Sequence, residues 1–150
     1  MKAIKQVLAA TFAIATLAGT AFAGKGWETN IETAVAKAKK ENKSVMVEFT
    51  GSDWCPPCIM MNKKVFSQAE FVTKASEKYV LVVIDIPKKD PELKKQNQKV
   101  MAKYSVRGVP TVILMDGEGK EFNRFTASQY PAVDKFLAHL DSALEKKDME

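Results

Sequence analysis

A nearly continuous apolar run, VLVVIDI (Val80–Ile86), restricts the possible folds of this chain more than any other stretch. Strands with such a composition are buried on both faces, as in a parallel sheet covered by helices. A second run, SVMVEFT (Ser44–Thr50), is short and rich in β-branched and aromatic residues, and it also predicts a buried strand. Two further strands are predicted at Thr111–Asp116 and Glu121–Phe125, on either side of a turn.

Helical patterns alternate with these strands. The first helix is predicted from Ile31, Ala34, Val35 and Ala38, which share one helical face, with Asn30 or Thr29 as its cap. The other predicted helices are 55–64, 67–79 with Ser67 as cap, 90–104 and 130–147. The order α-β-α-β-α-β-β-α predicts a single α/β domain, in which a central mixed four-stranded sheet has helices on both faces.

The first 23 residues have the pattern of a signal peptide. Lys2 and Lys5 precede an uncharged run, Val7–Ala23, which ends in Ala-Phe-Ala. We expect cleavage after Ala23, which leaves residues 24–150 as the domain; the alternative, an uncleaved anchor, would be short for a membrane span. Loss of residues 1–23 removes two lysines and no acid, so the net charge falls from +5 to +3.

Several lysines cluster after the predicted strand Val80–Ile86. They are Lys88, Lys89, Lys94, Lys95 and Lys99. Because no aromatic residues are interleaved with them and no nucleic-acid motif is present, a solvated surface is favoured over a nucleic-acid site. A weak attraction to an acidic partner stays open.

The chain has two cysteines, Cys55 and Cys58, separated by two prolines. A c-type haem site would need His at the position of Ile59, and a zinc site would need four ligands, whereas His139 is the one histidine of the chain. A disulfide that closes so short a loop adds little to stability. A pair that follows a strand and begins a helix in a β-α-β pattern is typical of thiol–disulfide redox chemistry.

The helix start suits that chemistry. There Cys55 would face unpaired backbone N–H groups and the positive end of the helix dipole, both of which favour the thiolate. Cys58 lies one turn later and can close a disulfide with Cys55. Pro56 and Pro57 remove two N–H donors and stiffen the turn, and the net effect on the reduction potential stays open.

Two separated segments resemble the thioredoxin superfamily. They are VMVEFTGSDWCPPC (Val45–Cys58) and YSVRGVPTVILMDGEGK (Tyr104–Lys120). The chain is similar in particular to exported bacterial thioredoxin-like proteins with the segment F-x-G-x-x-W-C-x-x-C. The resemblance extends from about Trp27 to Leu144 and implies a thioredoxin fold.

The resemblance also implies roles for individual residues. Cys55 is expected to be the nucleophile and Cys58 the resolving thiol, while Pro110 matches a cis-proline that faces the disulfide. The residues expected at the substrate are Trp54, Pro56, Pro57 and Val109. Glu48 matches a buried acid below the second cysteine, and its position between Val47 and Phe49 agrees, because a charge in an apolar strand is costly and shifts its pKa. Such an acid could shuttle the Cys58 proton.

The expected function is a periplasmic thiol–disulfide oxidoreductase. The dipeptide Pro56-Pro57 between the cysteines lacks the histidine of strongly oxidising relatives. Neither the helical insertion of periplasmic oxidases nor the dimerisation domain of isomerases is recognised. These features favour a reductase, and a monomer is expected. The expected partners are protein thiols and disulfides and a membrane thiol-electron carrier, with no cofactor, metal, nucleic acid or stable membrane insertion. The alternative is a binding module, an adaptor or chaperone without redox turnover. The segment Ile86–Asn97 is enlarged relative to minimal thioredoxin, and its role stays open.

Overall fold

A computed structural model describes residues 24–149. The strands are β1 Trp27–Glu28, β2 Ser44–Thr50, β3 Tyr79–Asp85, β4 Thr111–Met115 and β5 Glu121–Thr126. The helices are α1 Ile31–Glu41, α2 Pro56–Met61, α3 Ala69–Lys78, α4 Pro91–Lys103 and α5 Val133–Met149. A π-helical turn, Asn62–Phe66, joins α2 to α3, and a 3₁₀ turn, Ala127–Gln129, follows β5.

The strands form one sheet in the order β1-β3-β2-β4-β5. The pairs of β3 with β1 and with β2 are parallel, and β4 pairs antiparallel with both β2 and β5. The predicted mixed sheet is confirmed, and it has a fifth strand, Trp27–Glu28, because those two residues pair with Leu81 and Val82. A strand of two residues has no periodicity from which it could be predicted.

Two hydrophobic cores cover the two faces of the sheet, as expected for an α/β domain. Alternate side chains of β2 enter opposite cores, with Met46 in one and Val45, Val47 and Phe49 in the other. The first core is rich in aromatic rings and lies under α2, α3 and α5. The second is mostly aliphatic and lies under α1 and α4. By this alternation the side chain of Glu48 lies on the same face as Met46, the face that α2 covers.

Caps explain where most helices begin. Asn30 accepts a hydrogen bond from the N–H of Thr33, which confirms the first of the two predicted caps, and Asp90 accepts one from the N–H of Leu93 at the start of α4. The predicted cap Ser67 is wrong, because its hydroxyl donates backwards to the carbonyl of Asn62 and α3 begins at Ala69. Ser67 is instead the C-terminal cap of the π-helical turn Asn62–Phe66.

The predicted signal peptide, residues 1–23, lies outside the described residues, so its cleavage after Ala23 stays a prediction. Among residues 24–149, no helix is long and apolar enough to cross a membrane. The central strand β2 leads through a short loop, 51–55, into α2. The cysteine pair therefore lies at the carboxyl edge of the sheet, where loops from several strands meet.

Candidate active site

Cys55 is the N-cap residue of α2, with extended backbone angles of φ −103° and ψ 103°. Pro56 and Pro57 occupy the first two helical positions and have no N–H, so the first helix donor is the N–H of Cys58. That N–H lies 3.3 Å from the Cys55 sulfur, to which it donates. The two cysteines form a disulfide, with their Cα atoms 5.2 Å apart.

The two sulfurs differ in access. Cys55 is 4% exposed and Cys58 is fully buried, while Pro56 and Pro57 are exposed beside them. Ile59, in the first turn of α2, is 47% exposed, which is unusual for a large apolar side chain in this protein. A partner that approaches this edge of the sheet therefore meets the prolines and Cys55 before Cys58.

The loop before β4 faces the disulfide. The Val109–Pro110 peptide bond is cis, and Pro110 is buried while Val109 is half-buried. The carbonyl oxygen of Val109 lies 4.0 Å from the Cys55 sulfur. The hydroxyl of Thr111 donates to the carbonyl of Gly108 at 2.7 Å and closes the loop. The structure thus brings together the cysteine pair and the loop that the resemblance placed beside it.

Glu48 lies in β2, the central strand, with 3% of its surface exposed. Burial raises the pKa of Glu48 to about 8, and the charge of Asp85 adds to this effect, while the Thr50 hydroxyl acts against it. Glu48 and Cys58 line the same cavity of about 430 Å³, which is open to solvent. Because β3 and β4 flank its strand, Glu48 does not lie at an edge of the sheet.

A second buried acid, Asp85, ends strand β3. Its carboxylate accepts hydrogen bonds from the Ser52 N–H at 2.9 Å and from the Ser52 hydroxyl at 2.6 Å. The side-chain amide of Asn97 donates to the Asp85 carbonyl at 2.6 Å. Sequence analysis missed Asp85, although the same signal was present as for Glu48, an acid in an apolar strand.

Further hydrogen bonds tie the active-site loop to the enlarged segment after β3. The carboxylate of Asp53 accepts from the backbone N–H groups of Lys88 and Lys89 at 2.8 and 2.9 Å, and these bonds hold the pKa of Asp53 below its usual range. The indole N–H of Trp54 donates to the carbonyl of Ile86 at 2.8 Å. The enlarged segment therefore holds the loop that precedes Cys55.

Gly51 makes room for Trp54. A Cβ atom at Gly51 would lie 2.5 to 2.7 Å from three atoms of the Trp54 indole, closer than side chains pack. Any other residue at position 51 would displace the ring. The position of Trp54 beside the cysteine pair thus depends on a glycine four residues before Cys55.

No group of three or more His, Cys, Asp or Glu side chains lies close enough to hold an ion within residues 24–149. His139 is half-buried on α5 and stacks on the ring of Tyr130, with centroids 4.1 Å apart. Met61 is buried in the aromatic core.

Comparison of the sequence with known proteins gives the thioredoxin family that the two segments resemble. The model of the Thioredoxin-like domain matches residues 31–144. The disulfide bond reductase DsbH of Chlamydia pneumoniae is 38% identical over 101 residues, which are 65% of this chain and 60% of that protein. The thiol:disulfide interchange protein DsbD of Vibrio cholerae is 30% identical over 112 residues, 75% of this chain and 18% of that protein. The chain thus spans less than two thirds of the length of either relative.

Solved structures agree. A DsbH oxidoreductase structure has a TM-score of 0.69 and 29% identity, and the likeness covers 85% of this chain and 90% of that one. A thioredoxin from Thermus thermophilus has a TM-score of 0.60 and 26% identity, covering 79% of this chain and 85% of that one. These similarities confirm the thioredoxin fold that the two sequence segments implied.

Proposed function

This chain belongs to the Thioredoxin-like domain family, and from that premise we propose that it is an exported thiol–disulfide oxidoreductase that reduces protein disulfides. The observation that carries the proposal is the Cys55–Cys58 disulfide at the start of α2, with the Cys58 N–H directed at the Cys55 sulfur. A donor at that point stabilises a thiolate, which is the attacking species in disulfide exchange.

The reaction uses both cysteines. In the reduced protein the Cys55 thiolate attacks one sulfur of a partner disulfide, forms a mixed disulfide and releases the other partner sulfur as a thiolate. Cys58 then loses its proton and attacks the Cys55 sulfur, which restores the internal disulfide and releases the second partner sulfur as a thiolate. Two electrons pass from the cysteine pair to the partner, and its two thiolates are protonated by the proton from Cys58 and by one from water.

Glu48 is proposed to accept the proton of Cys58 through the cavity that both residues line. Its pKa of about 8 lies close to the ordinary thiol value of about 8.5, so a proton moves between the two groups at little cost in free energy. An acid with an ordinary pKa would be a much weaker base for a thiol.

The start of helix α2 supports the proposed direction of electron flow, from this protein to its partner. Strong oxidants of this family have a stabilised reduced form, which needs several interactions with the thiolate. Here Pro56 and Pro57 supply no N–H, so the first helix donor near Cys55 is that of Cys58. A less stabilised thiolate favours a lower reduction potential. The name of the Chlamydia pneumoniae relative, a disulfide bond reductase, supports the same direction.

The proposed setting follows from the predicted signal peptide. After cleavage at Ala23 the domain would act as a monomer in the periplasm and receive electrons from a membrane thiol-electron carrier. The name of DsbD, a thiol:disulfide interchange protein, supports exchange with another thiol protein. Trp54, Pro56, Pro57 and Val109 are proposed to contact the substrate, with Pro110 facing the disulfide.

An insulin-reduction assay tests the proposal, with Cys55→Ser as control. The wild-type protein should accelerate insulin reduction by dithiothreitol and the variant should not. Wild-type protein without activity would favour the alternative of a binding module. Equilibration with glutathione tests the direction. We expect a potential near that of thioredoxin, about −270 mV, and a value near about −120 mV would contradict the reductase proposal.

A further inference from the structure

A groove of about 380 Å³ runs beside the cysteine pair, on the side of the Val109 loop. Its apolar floor consists of Trp54, Ile86, Met101, Val106 and Val109. The groove adjoins the redox centre through Val109, which lines it and whose carbonyl oxygen lies 4.0 Å from the Cys55 sulfur, while neither cysteine is part of the lining.

The charges beside this groove are positive. Arg107 lines it and is exposed. The ammonium group of Lys88 lies 5.5 Å from the centre of the Trp54 ring, and Trp54 forms part of the floor. Neither cation forms an ion pair with any residue between 24 and 149. Both cations are therefore available to pair with an acidic group of a partner.

Acids close to Lys88 already accept hydrogen bonds, including the buried Asp85, which accepts from Ser52. Asp53 accepts hydrogen bonds from the backbone N–H groups of Lys88 and Lys89, and Asp90 accepts one from Leu93 as the cap of α4. The carboxylate of Asp53 offsets part of the local positive charge, and each of its oxygens accepts one of these backbone hydrogen bonds. A carboxylate supplied by a partner would find two unpaired cations.

We infer that this groove selects partner segments in which an apolar side chain and an acidic side chain flank the reactive cysteine. The apolar side chain would lie on the floor beside Trp54, and the acidic one would meet Arg107 and Lys88. The inference rests on the proposed function, because the segment is held while its sulfur reacts with Cys55. It adds to that function a preference for partner segments that carry a negative charge.

Complementary charges at the edge of an interface act mainly on the rate of association. Exposed pairs are worth about 0.2–1 kcal/mol each, so two of them give a preference of roughly two- to thirtyfold. Added salt screens such pairs, since the Debye length falls to about 3 Å at 1 M. An apolar floor without the cations would give no charge preference and no salt dependence.

The test uses two disulfide-linked peptide dimers that differ in one residue. Both peptides carry Leu beside a single Cys, and the variable residue next to that pair is Glu in one and Lys in the other. The rate at which the reduced protein reduces each dimer is measured by acid quench and thiol alkylation. Each rate is divided by the rate at which dithiothreitol reduces the same dimer, which corrects for the different intrinsic reactivities of the two disulfides.

We expect the Glu dimer to react about three- to tenfold faster than the Lys dimer at low salt, with the ratio near one at about 1 M salt. The double variant Lys88→Gln/Arg107→Gln should bring the low-salt ratio close to one. The matched control is Lys40→Gln/Lys120→Gln, which removes the same charge at the other end of the sheet, near the start of β2. It should keep the preference.

The outcomes separate the two proposals. Equal rates for both dimers with the wild-type protein would overturn the charge preference and leave the redox function standing. A preference that survives in the Lys88/Arg107 variant as fully as in the control would also overturn it, because the selecting charge would then lie elsewhere. Failure to reduce either dimer would overturn the redox function together with this inference.

Discussion

The two sulfurs of the disulfide lie three residues apart in the chain but in different surroundings. Cys55 lies at the edge of the molecule, beside the Val109 loop and an open groove. Cys58 is fully buried and lines a cavity that it shares with Glu48. Attack on a large partner needs access, whereas resolution needs a nearby group that takes a proton, and the two surroundings match these needs.

The difference extends to how each thiolate is stabilised. Cys55 receives a hydrogen bond from the start of α2, so its anion is favoured by the backbone. Cys58 lies inside the first turn, and its sulfur has no comparable position at the helix end. We therefore expect the reactivity of Cys58 to depend on Glu48 and that of Cys55 to depend on the helix.

The largest expected effect comes from substitution of either cysteine. Cys55→Ser should abolish the formation of mixed disulfides, because the accessible nucleophile is lost. Cys58→Ser should abolish turnover but accumulate mixed disulfides, because attack still occurs and resolution does not. Non-reducing gels after incubation of each reduced variant with oxidised insulin measure this. Equal trapping by both variants would show that either sulfur can attack and would remove the distinction.

The second prediction concerns Glu48→Gln and should sharpen the distinction. Loss of the proton acceptor should lengthen the lifetime of the mixed disulfide by about 10²-fold, with little change in the first attack. The pH dependence of resolution should lose the group that titrates at about 8. Stopped-flow measurement of the two steps tests this. Slowing of the first step to the same extent would contradict it.

The same variant has a thermodynamic signature. Because the pKa of Glu48 is raised from 4.5 to about 8, the folded protein holds a proton that the unfolded chain releases in that range. Its contribution to stability is complete below pH 4.5 and declines as the pH rises towards 8, at most on the order of 1 kcal/mol per pH unit. Urea denaturation of the oxidised protein should show this slope, and Glu48→Gln should remove it. The control Asn30→Ala should cost about 1 kcal/mol through its lost cap and keep the slope.

The smallest expected effect is that of Asp85→Asn. It removes a buried negative charge that adds to the raised pKa of Glu48, so the pH dependence of stability should move to lower pH. The shift should be smaller than the complete loss in Glu48→Gln, because burial is the larger cause. Ser52→Ala keeps the charge of Asp85 and removes one of its hydrogen bonds. A shift to lower pH in both variants would assign the effect to loop geometry instead.

Much of the fold was predictable because its signals are local. The strand Ser44–Thr50 has the predicted bounds, since β-branched and aromatic residues and the flanking turns mark both ends. The cap Asn30 of α1 and the start of α4 after Asp90 were predictable for the same reason. The start of α5 was placed three residues early, at Tyr130, where the chain instead leaves a 3₁₀ turn before the helix begins at Val133.

The local sequence pattern was thus enough to predict the disulfide-exchange chemistry, since Cys55 caps α2 and Cys58 lies in its first turn, three residues later in the chain. The surroundings of the two sulfurs required the packed sheet. The pKa of Glu48 depends on strands β3 and β4 on either side of it, and the groove joins residues from the loops after β2 and β3 with others from α4 and the loop before β4. Burial and charge proximity arise between residues distant in sequence, and no periodicity within a single segment encodes them.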